Sequence, residues 1–140
     1  MPILNYTTKI SASKTVGEIQ GMLAKHGAKK IMLEYENANP VSISFQIDTV
    51  HGLQSIVLPS NPAGVLQAMK KDGIKADEKR GHDVAWRICK DWIEVQLAFV
   101  KAAQAEMAQV FLPYIVVTDS GATVYEMLQQ KNLLLEAREL

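Results

Sequence analysis

The sequence predicts an α+β fold, a two-layer sandwich of order β-α-β-β-β-α-α-α, with an antiparallel meander sheet covered on one face by a long C-terminal helix. Three observations carry the prediction. Residues 30–58 contain three short runs of alternating apolar and polar side chains, with Asn-, Pro- and Gly-containing turns between them. Residues 83–111, DVAWRICKDWIEVQLAFVKAAQAEMAQVF, contain no Gly or Pro and repeat apolar residues at the period of an α-helix. At 140 residues the chain fits a single domain, 1–140, whose core needs no disulfide or metal to hold it.

Residues 3–10 alternate, with Leu4, Tyr6, Thr8 and Ile10 on one side and Ile3, Asn5, Thr7 and Lys9 on the other, which predicts the first strand. Thr15 and Glu18 then have the spacing of a capping box, in which each side chain bonds the other's free backbone N–H. The helix they open turns Val16, Ile19, Met22 and Leu23 inward and stops at Gly27. In the next strand Ile31, Leu33 and Tyr35 alternate with Lys30, Met32, Glu34 and Glu36. A turn over Asn37–Pro40 leads to Val41, Ile43, Phe45 and Ile47, which alternate with Ser42, Ser44, Gln46 and Asp48. After a turn over Thr49–Gly52, Leu53–Leu58 completes the meander, apolar on one face and polar on the other.

Asn61 and Pro62 are the cap and first residue of a short helix ending near Lys71. DGIKADEKRGH, residues 72–82, reads as an exposed charged loop. Asp83 is then the N-cap of the long helix, with Pro113 just beyond its end. Residues 115–118 are expected to be extended, and Thr123 with Glu126 caps a last helix to about Gln130; residues 132–140 extend or fray it. The apolar arc of the long helix includes Val84, Ala85, Ile88, Trp92, Val95 and Phe99 beside Cys89, Ile93, Leu97 and Val100. It is wider than the stripe of roughly 100° that one contact needs. At about 43 Å, from about 1.5 Å per residue, the helix is also longer than its sheet, so a homodimer through it is expected.

Composition removes several classes of function. Lys and Arg total 15 and Asp and Glu total 15, so there is no basic excess of the kind a general polyanion binder carries. Cys89 is the single cysteine, which excludes an internal disulfide and a Cys-rich zinc site; on the apolar side of the long helix it is expected to be a buried, inert thiol. No signal peptide or membrane-length apolar run is seen, so a cytoplasmic protein is expected. Phosphate-binding loops, GxSxG and HExxH are missing, and no motif asks for a cofactor or metal. His26, His51 and His82 all fall at turns. A catalytic site from His51 or His82 with Asp48 or Asp83, or a cation site from Glu34, Glu36 and Asp48, would need the fold to bring them together.

Two surfaces suit binding. Asn5, Thr7, Lys9, Ser42, Ser44, Gln46 and Gln54 make an outer sheet face that is hydroxyl-rich and carries little charge for a wet surface. Tyr6, Tyr35 and Phe45 point inward, away from where a single-strand reader stacks bases. Lys70, Lys71, Lys75, Lys79 and Arg80 form a basic strip beside Trp86 and Arg87, interleaved with Asp72, Asp77, Glu78 and Asp83. The order α-β-β-β-α over residues 15–71 matches double-stranded-RNA-binding domains, but SNPAGVLQ stands where their basic helix start would be.

The opening PILNYTTKISASKTVGEIQGMLAKHGA and the block VAWRICKDWIEVQLAFVKAAQAEMAQVFLPY resemble small uncharacterised proteins encoded by phages, prophages and integrative elements. AWRICKDWIE and VFLPY are the most specific parts. The resemblance implies a mobile element in a bacterial cell and carries no catalytic residues. The expectation is therefore a non-enzymatic accessory protein that binds a host or phage protein through Lys70, Lys71, Lys75, Lys79, Arg80, Trp86 and Arg87, as an inhibitor of a nucleic-acid-based host defence system. The alternative is a DNA- or RNA-binding protein using the same basic segment and the polar sheet face.

Overall fold

A computed structural model describes residues 1–137 and bears out the α+β class. It holds α1 (Ala12–Lys25), strands β1 (Lys30–Glu36), β2 (Asn39–Thr49) and β3 (Gly52–Pro59), then α2 (Pro62–Lys71), α3 (Glu78–Lys101), a single turn α4 (Met107–Val110), a 3₁₀ turn (Leu112–Tyr114) and α5 (Val124–Gln130). The strands form one antiparallel meander in the order β1-β2-β3. Ile43, Phe45 and Ile47 of β2 and Ile56 and Leu58 of β3 are buried on one face. They meet Val16, Ile19 and Leu23 of α1 and Trp86, Ile93 and Leu97 of α3 in the main core. One-sided burial fixes register, because a slip of one residue would turn every one of these strand side chains to water. Phe111 closes the core in an edge-to-face chain, its ring 5.5 Å from Phe45 and 5.7 Å from Trp92.

The expected first strand does not form. Residues 4–7 make a turn, with Asn5 at φ 65°. Tyr6 N–H donates to Ile3 O at 3.3 Å and Thr8 N–H to Asn5 O at 3.0 Å. The carbonyls of Tyr6 and Thr8 are taken instead by the Arg80 guanidinium, at 3.2 and 2.6 Å, so backbone acceptors that a sheet would use are satisfied by a side chain. Ile3 and Tyr6 pack on a second, smaller core of Val65, Met69, Val84 and Ala85 between α2 and α3. Asn5, Thr7 and Lys9 therefore take no part in the outer sheet face.

Other boundaries move for local reasons. Ser11, not Thr15, caps α1, its Oγ accepting Lys14 N–H at 3.2 Å, while Thr15 is buried. α3 starts earlier than Asp83, because Asp77 caps it by accepting Arg80 N–H at 2.9 Å, so half of the expected loop is helix. It also ends at Lys101 rather than Phe111. At 24 residues it spans about 36 Å, which weakens the argument from an overhanging rod. The stop is a Schellman turn: Gln104 N–H reaches Phe99 O at 2.9 Å and Ala103 N–H reaches Val100 O at 3.0 Å, with Ala103 at φ 57°. The same turn ends α1, where Gly27 holds the left-handed position at φ 95°. An alanine there costs about 1–2 kcal/mol in backbone strain that glycine avoids. Ala103→Gly should raise stability by about 1 kcal/mol in urea unfolding, because the strain relieved exceeds the extra entropy of the unfolded glycine.

The short helices follow the expected chemistry. Asn61 caps α2 by accepting Gly64 N–H at 3.1 Å, with Pro62 in the first position. Thr123 and Glu126 form the capping box of α5. Residues 115–118 contribute bridges rather than a strand, Ile115 pairing with Ile56 and Val116 with Thr123. α5 stops at Gln130, so residues 132–137 do not extend it, and residues 138–140 lie outside the described part.

Candidate functional site

The residues expected to grip a partner divide into two groups. Lys70 and Lys71 on the last turn of α2, and Lys75 after it, are exposed, and no described carboxylate lies within ion-pair reach of them. The others are engaged by the fold. Lys79 Nζ pairs with Asp83 at 2.8 Å, and Arg80 holds the Tyr6 and Thr8 carbonyls. Arg87 Nη1 lies 2.5 Å from Glu18 and 3.3 Å from Thr15 Oγ1, tying α3 to α1. Trp86 is 0% exposed, and its Nε1–H donates to Pro40 O at 2.8 Å. The expected surface tryptophan is a core residue. With the start of α3 moved back, Trp86 falls in its third turn and on the sheet-facing side.

The start of α3 does form a small polar cleft. Glu78 and His82 are one helical turn apart, and the ring Nε2 is 3.9 Å from Glu78 Oε1. The β1–β2 turn brings Glu36, Asn37 and Asn39 opposite them, and Ser60 before α2 and Pro62 at its first position add to the lining. The cleft encloses about 180 Å³. His82 is 4% exposed, and both its Nδ1 and Ser60 Oγ are buried without a hydrogen-bond partner. Next to it, Gly81 lets α2 approach α3: a Cβ there would lie 2.9 Å from Leu66 Cγ. Of this group His82 and Glu36 stood out in the sequence, each as part of a different constellation. The Glu78–His82 spacing is a legible signal once Asp77 rather than Asp83 is taken as the cap.

A second cleft, more apolar, is lined by Leu58, Pro59, Val65, Ile88, Cys89 and Trp92. Burial pushes the Cys89 thiol up to about 11, so it stays protonated at neutral pH and is a poor nucleophile.

The other constellations are not assembled. Asp48 and His51 sit at the β2–β3 turn, whereas His82 faces the β1–β2 turn at the far end of β2. Eleven strand residues at about 3.3 Å each separate the two ends. Asp83 bonds Ala12 N–H and Lys79 instead of a histidine. Glu34 and Glu36 lie near the β1–β2 turn and Asp48 near the opposite one, and no three His, Cys, Asp or Glu groups among the described residues are placed to hold a metal ion.

The outer face of the sheet is uncovered. Met32, Ser44 and Val57 form a row across all three strands, with Lys30, Gln46 and Ser55 in the next row, and together they line a shallow depression. Gln54 pairs with Ile47 and so belongs to the opposite face; Leu53, which pairs with Asp48, takes its place and is 54% exposed. Tyr35 was expected inside, yet it is 56% exposed, because the register shifts between Glu34 and Tyr35 at the end of an edge strand. The outer edge of β1 has no strand partner among the described residues, while Ile115 bridges to the outer edge of β3. No described helix is long and apolar enough to cross a membrane. No family model, curated protein or solved structure matches the chain.

Proposed function

We propose that this chain is a non-enzymatic accessory protein that works by binding an extended segment of another protein along β1 and the bare face of its sheet. The observation that carries the reading is the one-sided cover of the sheet. Helices bury one face, while the other presents Met32 and Leu53, each more than half exposed, among hydroxyl and amide side chains. An unpaired edge strand offers backbone N–H and C=O groups that an incoming strand can bond, and the adjacent face supplies side-chain selectivity. The resemblance of AWRICKDWIE and VFLPY to proteins of mobile elements supports a partner from the bacterial host or the element itself. An inhibitor of a nucleic-acid-based defence system is the specific form we propose.

The test is affinity capture from bacterial lysate, followed by binding of the purified partner to the wild type and to Met32→Lys with Val57→Lys. Both positions face outward, so the variant keeps its core. Binding to the wild type should fall at least about tenfold in the variant, as expected for central apolar contacts. A partner bound equally by both, or none captured, overturns the reading.

The exposed Lys70, Lys71 and Lys75 favour a second reading, binding to DNA or RNA. Three phosphate contacts give a slope of about −2.7 in log affinity against log salt for duplex DNA. The homodimer expected through the long helix now rests on Val95 and Phe99, exposed at 57% and 51%, and a mass measurement in solution decides it.

A further inference from the structure

The cleft between the β1–β2 turn and the first turns of α3 has a composition that selects one kind of ligand. Its titratable lining is Glu36, Glu78 and His82, and its other polar side chains are Asn37, Asn39 and Ser60. No Lys or Arg borders it. Two carboxylates and no cation repel an anion and favour a positive group. The buried polar atoms without partners, His82 Nδ1 and Ser60 Oγ, both belong to residues of this cleft, and they are the only such side-chain atoms among the described residues. A buried polar atom left unsatisfied is costly, and native chains rarely keep one without something that bonds it. With the ring N–H on Nε2, towards Glu78, Nδ1 presents a lone pair and requires a donor.

A divalent metal does not fit, because the three titratable groups do not converge on one point. A group with several N–H donors spread over a planar or tetrahedral head does. The volume of about 180 Å³ equals roughly six waters at about 30 Å³ each, enough for one such head and a short stem. From these observations we infer that the cleft binds a single guanidinium or alkylammonium group, with Glu36 and Glu78 neutralising its charge and the His82 and Ser60 side chains turning their buried acceptors, Nδ1 and Oγ, onto its N–H donors. This site shares only Glu36 with the β1 edge proposed above and lies at the end of β2 where β1 turns into it.

The test uses the full chain labelled with nitrogen-15 and titrated with methylguanidinium chloride. Amide signals of residues 36–39, 41, 60–61 and 78–82 should shift and saturate at millimolar concentration. Tetramethylammonium chloride, which has charge but no N–H, and sodium chloride should leave them in place. Glu36→Gln with Glu78→Gln should weaken binding by about five- to tenfold, the sum of two partly exposed ion pairs. Both glutamates are exposed, so that variant folds. His82→Gln, which presents a different acceptor, should weaken binding while the wild-type pattern of far-UV circular dichroism is kept. A Gly-Arg-Gly peptide binding more tightly than spermidine identifies the group as a protein side chain; the reverse identifies a free amine, and either supports the inference. Shifts that do not saturate, that sodium chloride reproduces, or that the Glu36 and Glu78 variant leaves unchanged overturn it.

Discussion

Trp86→Ala is expected to lower unfolding stability by about 3–5 kcal/mol, the range for deleting a large aromatic from a packed core. The indole is 0% exposed and stands where α3 crosses the β1–β2 end of the sheet. Alanine leaves a cavity there, and it also removes the Nε1–H that donates to Pro40 O at 2.8 Å. That carbonyl sits on a buried residue at the start of β2, so the loss adds an unsatisfied acceptor to the lost packing. Against a total stability of about 5–15 kcal/mol the effect is large, and at about 4 °C per kcal/mol the midpoint of thermal unfolding should fall by about 12–20 °C. Trp86→Phe keeps one aromatic ring in the core and drops the donor together with part of the indole volume, so a smaller loss of about 1–3 kcal/mol is expected. Urea unfolding with an unchanged slope reads both values. A Trp86→Ala variant within 1 kcal/mol of the wild type would refute the placement of this side chain. The same result governs binding experiments, since loss of a partner in Trp86→Ala reports loss of the fold and not of a contact.

The meander was readable because its signal is redundant. Val41 to Asp48 alternates strictly, polar turns flank it, and helices cover only one face, so local pattern and tertiary burial agree. Where the sequence misled, a distant side chain overrode a local pattern. Leu4, Tyr6, Thr8 and Ile10 alternate as a strand would, but Arg80, more than seventy positions away, takes the carbonyls that a sheet ladder would need. Periodicity cannot announce such a partner. The early end of α3 was hidden for a different reason: Ala102, Ala103 and Gln104 all favour helix, and the stop comes from an alanine in the left-handed region that glycine normally occupies.

The basic strip shows how charge in a sequence differs from charge on a surface. Lys79, Arg80 and Arg87 look equivalent to Lys70, Lys71 and Lys75 when read in a row. Helical spacing sends the first three towards Asp83, the amino-terminal turn and Glu18, where they join elements of the fold. The cleft beside His82 was illegible for the converse reason, because Glu36, Ser60 and Glu78 come from three separate segments with no shared motif. Only the hairpin and the start of α3 together make them neighbours.

Asp83→Ala should cost about 2–4 kcal/mol, more than a surface aspartate and more than the loss of an ordinary cap. Read in sequence, Asp83 is the N-cap of its own helix; in the fold it lies one and a half turns inside α3 and serves α1. Its Oδ1 accepts the buried N–H of Ala12, the first residue of α1, at 2.8 Å, and its Oδ2 accepts Lys79 Nζ at 2.8 Å. The side chain is 9% exposed, so water does not replace it readily. Alanine leaves a buried N–H unpaired and removes a negative charge from the positive end of a helix, about 1–3 and about 0.3–1 kcal/mol respectively. Ser11→Ala makes the comparison, since Ser11 Oγ caps the same helix at an exposed position by accepting Lys14 N–H at 3.2 Å. That change should cost about 0.5–1 kcal/mol, the lower part of the range for a lost serine cap. Asp83→Asn keeps an acceptor for Ala12 but weakens the link to Lys79, so it should fall between the two. If Ser11→Ala proves as costly as Asp83→Ala in urea unfolding, α1 is held by its own cap. The expected ordering instead makes α3 the element that fixes where α1 begins, through a carboxylate that reaches across the interface between the two helices.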